Sequence, residues 1–477
     1  RHPFAVTEGV SMQQGTGATG TGNAVREAAA RCPHGGGVAY PLHGNSGSEL
    51  PWRLLRERYG PLVPVELCPG VPGWLLLGYK ENLRALRDRT HFSADPAHRS
   101  FGPEPVRARA LGRDGEDHQR LRLPVVEALA SVTTPTLVPV VERIAVRLLE
   151  RVATEGSADL IGHFAEPLPA LVLNELFGLP DEYGRLLLRL ARDHRSGDPE
   201  RAGAAERGLR SYFRGLVARK RLDPGQDLTS VLLAHPHALN DDEAAEALAL
   251  LWQSGHEPTA HLLGNALLRL LGDPAVWTAY LGGTLSPEDF VDYVMWTAPP
   301  IDLLAGRYPV TDMNLSGTLV RKGEPLLMGL APAHGDPGLA GGRDDTMALA
   351  GNRSHLAWGA GAHRCPATAV VRELVRTAID TALDRLRGLM LSVEAGHLRR
   401  GPDPGVCGPV ELPVRFTPTG EPAPEPAPQP ERTGAVRRWV RRKRKPVPRG
   451  ARYQAPMAED GEQGDTTVPV ALSLIHI

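Results

Sequence analysis

The chain has 477 residues, and its 54 Lys and Arg residues nearly balance its 55 Asp and Glu residues, which excludes a nucleic-acid binder that acts through overall positive charge. Hydrophobic residues make up 42% and charged residues 23%, values typical of a globular protein, and the sequence contains no run of about 18 apolar residues that would indicate a membrane span. Four widely separated cysteines without a CxxC pair are too few to cross-link so large a fold, which predicts a cytoplasmic protein.

The N-terminal segment reads as sequence outside the folded domain. Residues 1–47 are rich in Gly, Thr, Ala and Ser, which predicts disorder. Met12 is the expected true start, so that residues 1–11 would lie upstream of it. The folded domain is expected at residues 48–417.

The body of the chain has a helical pattern with a few short strands. The sequence LVPVEL at 62–67, a Pro/Gly turn and Trp74–Leu77 predict a β-hairpin, and Asn82–Arg89 predicts a short helix. Between residues 118 and 271, apolar residues recur at spacings of three to four, which is typical of amphipathic helices. We therefore predict a mostly α fold with a minor β part, built as a single large domain around one core.

The longest predicted helix is Asn240–Leu271, and its apolar pattern is interrupted at the sequence SGHEPT. Pro258 cannot donate a backbone hydrogen bond, so the carbonyl of Ser254 is expected to be free. A long helix opened at its midpoint beside a buried acid, Glu257, is a candidate functional site. The alternative is a simple kink.

The strongest chemical signal is WGAGAHRCPA at residues 358–367. Gly359 and Gly361 permit a tight backbone turn, and Pro366 suits the first position of a helix. The helix N-terminus would stabilise a thiolate at Cys365 and lower its pKa. Such a thiolate is a nucleophile or a metal ligand; the alternative is an inert buried cysteine.

The C-terminal segment, residues 418–471, combines Pro-alternating sequence with the basic run RRWVRRKRK at 437–445. We interpret it as a disordered tail. The alternative is a patch that contacts an acidic partner, an anionic lipid surface or nucleic acid. Residues 472–477 (LSLIHI) are similar to a translated sequencing adapter and are expected to be an artefact.

The cysteine segment resembles the haem-ligand loop of the cytochrome P450 family, whose pattern is aromatic, Gly-x-Gly-x-His/Arg-x-Cys-x-Gly/Ala. Trp358 stands in the aromatic position and Ala367 in the small one. The resemblance covers roughly residues 49–417. It implies a P450-like domain that binds haem b (iron protoporphyrin IX), with Trp358 in the haem site and Cys365 as the proximal iron ligand.

The resemblance also implies partners for the two haem propionates. His118 and Arg122 match the family's His-x-x-x-Arg, and their spacing puts both on one helix face. Arg307 lies where the family places a third partner and His363 where it places a fourth. The alternative for each is an ordinary surface charge.

The segment SGHEPT is similar to the family's oxygen-activation groove, Ala/Gly-Gly-x-Asp/Glu-Thr-Thr. Glu257 matches the acid that relays protons during oxygen activation. The usual first Thr is Pro258, and Thr259 lies one residue later, about 100° around the helix. Glu257 and Thr259 are therefore the predicted catalytic residues, and Pro258 puts proton delivery in question.

A second departure concerns the family's Glu-x-x-Arg, which precedes a Pro-Pro turn. Counting back from Pro299 and Pro300, the matching positions hold Tyr293-Val294-Met295-Trp296, without either charge. We expect Tyr293 and Trp296 to pack where the ion pair would sit, and Arg343 to replace the arginine of the later Asp-x-x-Arg-Phe. The chain resembles an actinobacterial group that lacks the Glu-x-x-Arg motif.

The resemblance implies a monooxygenase that inserts one oxygen atom from O2 into a small apolar organic substrate. Its electrons would come from NAD(P)H through ferredoxin reductase and ferredoxin, and no specific nucleic acid is expected as a partner. The second hypothesis is a haem-thiolate protein with impaired oxygen activation, which acts as a peroxygenase or as a non-catalytic haem-binding partner in a signalling assembly. A helical protein without haem is the third.

Overall fold

The computed structural model describes residues 39–42, 51–68, 70–100, 110–339, 346–401 and 407–419. The predicted tail, the adapter-like residues and most of the N-terminal segment lie outside these ranges, as does Arg343. The domain boundaries at 48 and 417 therefore stay predictions.

Helices dominate the described residues. In chain order they are α1 (Trp52–Tyr59), α2 (Tyr79–Arg87), α3 (Gly115–Ala130), α4 (Thr134–Leu149), α5 (Pro167–Leu176), α6 (Asp181–His194), α7 (Pro199–Leu222), α8 (Leu228–Ala234), α9 (Asp241–Gly272), α10 (Pro274–Leu281), α11 (Pro287–Thr297), α12 (Leu330–His334) and α13 (Thr368–Arg385). Short 3-10 segments and one π-helical segment connect them: Pro96–His98, Ile161–Ala165, Thr346–Leu349, Gly361–His363 and Ala395–His397.

The strands form three small sheets. They are β1 (Tyr40–Pro41), β2 (Leu62–Cys68), β3 (Val71–Leu76), β4 (Phe92–Ser93), β5 (Ser157–Asp159), β6 (Leu303–Pro309), β7 (Met313–Leu315), β8 (Thr318–Val320), β9 (Leu326–Gly329), β10 (Met390–Leu391) and β11 (Pro413–Arg415). The largest sheet has the order β1-β2-β3-β9-β6-β4, and the others are β10-β11-β5 and β7-β8. In the largest sheet β1–β2 and β3–β9 are parallel pairs and the other pairs are antiparallel. The mostly α architecture with a minor β part agrees with the prediction.

Helix α9 passes through the centre of the helical layer and joins two hydrophobic clusters. Its first half, with Leu248 and Trp252, packs with α3, α6, α7 and α8. Its second half, with Leu263 and Leu267, packs with α4, α5, α11 and α13. Because the helix is buried at both ends of this span, side chains at its middle are held in fixed positions relative to both clusters.

Several elements predicted from local patterns are confirmed with shifted ends. The hairpin is β2–β3, with Leu62 paired to Leu76. The short helix begins at Tyr79 and ends at Arg87, three and two residues before the predicted ends. Asn240 caps α9 as predicted, and its side chain accepts a hydrogen bond from the Glu243 amide at 2.9 Å while the Glu243 carboxylate accepts from the Asn240 amide at 3.0 Å.

The long helix is not opened at its midpoint to the extent that the sequence predicted. Helix α9 runs through Pro258 without interruption. The disturbance is therefore the one hydrogen bond that Pro258 cannot donate. As for membrane spans among the described helices, none alone has the length and apolarity to cross a bilayer, and one pair bent by 74°, α3 with α4, meets these criteria only when taken together.

Candidate functional site

The cysteine loop is a tight turn that directly precedes α13 in the sequence and packs against the end of α2. Gly359 and Gly361 have φ of 66° and 71°, the left-handed region that favours glycine. A Cβ on Gly361 would lie 2.4 Å from the Leu86 carbonyl oxygen, so a side chain cannot fit there. The Cys365 amide donates to the Trp358 carbonyl at 2.8 Å, which closes the turn and fixes the backbone position of Cys365.

The pKa of the Cys365 thiol is raised above its ordinary value, so the predicted depression is wrong. Burial raises the pKa, and this outweighs the amide of Ala367 and the charges of Arg122 and Arg364, which lower it. The helix begins only at Thr368, so its N-terminus lies further from the sulfur than predicted. A bound metal cation reverses this balance, since a coordinating thiol is deprotonated.

Two histidines from distant parts of the chain stack beside the loop. The rings of His118, on α3, and His363 have centroids 4.0 Å apart and an interplanar angle of 31°. His363 Nε2 lies 3.3 Å from Asp114 Oδ1. Asp114 also accepts hydrogen bonds from the Ser93 hydroxyl at 2.6 Å and the Ala94 amide at 2.8 Å, which fixes the imidazole of His363. Burial, the neighbouring imidazole of His363 and the guanidinium groups of Arg122 and Arg307 lower the pKa of His118 to about 4.

Arg122 and Arg307 add two guanidinium cations beside these histidines. Arg122 donates to the Arg364 carbonyl next to the cysteine, and burial lowers its pKa. Arg307, on β6, is 6% exposed and donates from Nη1 to the Gly306 carbonyl at 2.9 Å. The structure therefore brings all four predicted propionate partners to one region together with Cys365, although they come from three separate segments of the chain.

This cluster fits the anionic edge of a haem. The side chain of His118 is buried, yet its Nε2 has no hydrogen-bond partner among the described residues. A buried polar atom of this kind is costly unless something satisfies it. A propionate carboxylate would satisfy His118 and offset the charge of Arg122 and Arg307, while the Cys365 thiol supplies the metal ligand. Burial lowers the pKa of His363, so its imidazole acts there as a hydrogen-bonding group.

The predicted acid Glu257 faces the α6–α7 connection. Arg195 Nη1 donates to Glu257 Oε1 at 2.7 Å, and His261 Nε2 lies 3.9 Å from the same oxygen. Burial alone would raise the pKa of Glu257, but His261 and Arg195 lower it by a larger amount, so that the pKa falls from its ordinary value to about 2. Arg195 was not found from sequence, because 62 residues separate it from its partner.

Thr259 is not brought together with Glu257. It is 3% exposed and lies on the same uninterrupted helix, and side chains two residues apart on a helix do not face each other. The two predicted catalytic residues therefore occupy different faces of α9.

Tyr293 and Trp296 are buried as predicted, but the same helix also carries a buried ion pair that the sequence did not indicate. Trp296 packs against His334, with ring centroids 4.7 Å apart, and its indole donates to the Asn352 carbonyl at 2.6 Å. One residue before the aligned positions, however, Asp292 is fully buried and contacts Arg372 and Arg353. These partners lie 80 and 61 residues away, so no local spacing could have revealed them.

Comparisons with known proteins agree with this site. No protein-family model matches the chain. The chain is 30% identical over 375 residues to cytochrome P450 105C1 from Streptomyces sp, covering 78% of this chain and 96% of that protein. It is also 30% identical over 375 residues to the cytochrome P450 monooxygenase PikC from Streptomyces venezuelae, covering 75% and 88% respectively. The solved structure of CYP154A1 from Streptomyces coelicolor A3(2) matches with a TM-score of 0.70 and 27% identity, covering 79% of this chain and 100% of that one.

A mostly α fold that sets a cysteine turn beside a cluster of anion-binding side chains is typical of a haem-thiolate protein. The chain belongs to the cytochrome P450 family. It is accordingly a P450 monooxygenase, an oxidoreductase whose cofactor is haem b. The predicted family, fold class, enzyme class and cofactor are confirmed.

Proposed function

We propose that this monooxygenase inserts one oxygen atom from O2 into a small apolar organic substrate in the cytoplasm, with electrons that pass from NAD(P)H through ferredoxin reductase and ferredoxin. The observation that carries the proposal is the convergence of Cys365 with the cationic side chains around His118. When bound, the haem iron supplies the oxygen activation that no side chain can perform. The folded unit responsible is residues 48–417.

Each side chain near the cysteine has a proposed role. Cys365 ligates the iron, and the indole of Trp358, 9% exposed, packs in the haem site. The propionates are held by His118, Arg122, Arg307 and His363, a role supported by their proximity to one another and to the cysteine turn. Asp114 acts through His363, whose imidazole it orients.

Glu257 and Thr259 are the proposed proton-handling residues. A carboxylate with a pKa of about 2 is ionised at neutral pH, so Glu257 can accept a proton at Oε2 but holds one poorly while Arg195 contacts Oε1. Efficient delivery therefore requires Arg195 to move away from Glu257. Thr259, buried on another face of α9, can donate from its hydroxyl only to groups on that face.

A second function is favoured by Pro258. This residue removes the hydroxyl next to Glu257, and the Arg195 contact holds Glu257 as a carboxylate. A haem-thiolate protein with impaired proton delivery would work better with peroxide, which already carries the protons that O2 activation requires. It would then be a peroxygenase, or a non-catalytic haem-binding partner in a signalling assembly whose basic run 437–445 contacts an acidic protein.

Parallel turnover assays decide between the two functions. The haem-loaded full chain is given 7-ethoxycoumarin as an apolar probe, either with NADPH, ferredoxin reductase and ferredoxin or with hydrogen peroxide. O-dealkylation with the ferredoxin system at a rate equal to or above the peroxide rate supports the monooxygenase. Product in the peroxide assay but not in the ferredoxin assay supports the peroxygenase. No product in either assay supports the non-catalytic function. A Cys365→Ser variant is the control for haem released into solution.

A further inference from the structure

A fully buried carboxylate lies on α11, close to the cysteine loop. Asp292 is 0% exposed. Its Oδ2 accepts from Arg372 Nη1 at 3.0 Å and from Arg353 Nε at 3.3 Å. Its Oδ1 lies 3.2 Å from Nε2 of His355, whose side chain is also fully buried, and accepts a second bond from Arg372. Both carboxylate oxygens thus have charged or polar partners.

These partners lie on both sides of Cys365 in the sequence. Arg353 and His355 belong to the segment that enters the cysteine turn. Arg372 lies on α13, the helix that leaves it. A single side chain on a third element therefore connects the two arms of the turn, and α11 is itself buried from Phe290 to Trp296.

Trp296 strengthens the entering arm. Its indole donates to the Asn352 carbonyl at 2.6 Å, and its ring lies 6.0 Å from the ring of His355. The ring of His355 in turn lies 6.5 Å from that of Trp358, the first residue of the turn. Ring contacts from α11 therefore extend through His355 to Trp358, whose carbonyl accepts the hydrogen bond from the Cys365 amide.

The arrangement differs from an ordinary buried ion pair in this chain. Lys220 and Asp227 are also buried, with side chains 9% and 8% exposed and Nζ–Oδ2 2.6 Å apart, but they join adjacent helices seven residues apart in sequence. Asp292 instead joins segments 61 to 80 residues away. Breaking either pair leaves an uncompensated buried charge or cavity, yet only the Asp292 contacts bear on the cysteine turn.

We propose that Asp292 is a positioning residue that holds the two arms of the cysteine turn together, through Arg372 on one side and Arg353 and His355 on the other, and so fixes the Cys365 sulfur for iron ligation. This inference rests on the proposed ligation by Cys365. Outer partners of this kind orient metal ligands, and their loss typically weakens metal binding about 10- to 100-fold.

The test compares Asp292→Asn with Asp227→Asn in the haem-loaded full chain. Three quantities are measured: the Soret band of the reduced carbon-monoxide complex, the rate of haem transfer to apomyoglobin, and the thermal unfolding midpoint. For Asp292→Asn we expect a shift from the red-shifted thiolate band to the thiol band and at least about tenfold faster haem transfer. Asp292→Glu should restore most of the thiolate band, and Asp227→Asn should lower the unfolding midpoint but keep the wild-type band.

The outcomes are distinguishable. An Asp292→Asn protein that keeps the wild-type band and transfer rate, and loses only stability as Asp227→Asn does, overturns the inference. If Asp292→Asn does not fold, Arg353→Gln decides, because that side chain is 67% exposed and its loss leaves no cavity. It should accelerate haem transfer at least twofold, and an unchanged rate overturns the inference. A wild-type protein without the red-shifted band contradicts the ligation by Cys365, and the inference falls with it.

Discussion

The contact between Arg195 and Glu257 can be tested by replacing Arg195 with Met, which keeps the length of the side chain and removes its charge. Arg195 Nη1 lies 2.7 Å from Glu257 Oε1, and the two side chains are 27% and 15% exposed. The substitution leaves a mostly buried carboxylate with His261, 3.9 Å away, as its remaining partner at that oxygen. We therefore expect a loss of stability larger than for an exposed ion pair.

The magnitude follows from the pKa of Glu257, which falls from an ordinary 4.5 to about 2 in the folded protein. Each unit corresponds to about 1.4 kcal/mol, so the depression is linked to roughly 3 kcal/mol of stability at neutral pH. His261 and Arg195 share this effect, so Arg195→Met should cost about 1–2 kcal/mol. Because the folded pKa is depressed, the stabilisation is present above pH 4.5 and is lost as the pH falls toward 2.

The assay is urea unfolding of the wild type and the variant at pH 7 and at pH 2.5. Arg192→Met is the matched control, since Arg192 lies three residues earlier in the last turn of α6 and is 57% exposed. Like Arg195 it pairs with Glu166, but it does not pair with Glu257 among the described contacts. We expect the Arg195→Met deficit to exceed that of Arg192→Met at pH 7 and to fall by about half at pH 2.5, where the wild-type carboxylate begins to be protonated in the folded protein. A double-mutant cycle with Glu257→Gln should give a coupling of about 1 kcal/mol or more. Equal deficits for the two arginines, or a deficit that does not change with pH, would refute this reasoning.

Three further predictions concern haem retention, proton delivery and the central helix. His118→Phe keeps the buried ring but removes Nε2, so haem transfer to apomyoglobin should accelerate about tenfold; an unchanged rate would exclude a propionate contact. Pro258→Thr restores a hydroxyl beside Glu257 and should raise the fraction of NADPH consumption that yields dealkylated 7-ethoxycoumarin, whereas a lower fraction would contradict the proposed proton route. Asn240→Ala removes the cap of α9 and should lower the free energy of unfolding in urea by about 1 kcal/mol. An unchanged free energy would show that the reciprocal bonds with Glu243 contribute little.

Features encoded by neighbouring residues were predictable from the sequence. The cap of α9 depends on Asn240 and Glu243, and the hairpin depends on two apolar runs around a Pro/Gly turn. The cysteine turn depends on Gly359 and Gly361, whose spacing predicted a tight turn and whose φ angles are left-handed in the structure. In each case the information lies within a few residues, so a pattern is sufficient.

Features that depend on long-range contacts were not predictable. The side chains of Asp114 and His363 are 249 residues apart in the sequence, and those of Arg195 and Glu257 are 62 apart. Asp292 lies one residue before the positions aligned with Glu-x-x-Arg, and its partners are 61 and 80 residues away on other elements, so no local pattern marks it. The raised pKa of the Cys365 thiol has the same origin, because burial is a property of the whole fold and outweighs the local helix terminus.

The ligation of iron by Cys365 is tested most directly by the absorption spectrum of the reduced, carbon-monoxide-bound full chain after loading with haem. We predict a red-shifted Soret band, which reports a thiolate ligand, and its loss in Cys365→Ser. A blue-shifted band of the thiol type in the wild type, or a red-shifted band that survives in Cys365→Ser, would contradict the assignment of Cys365.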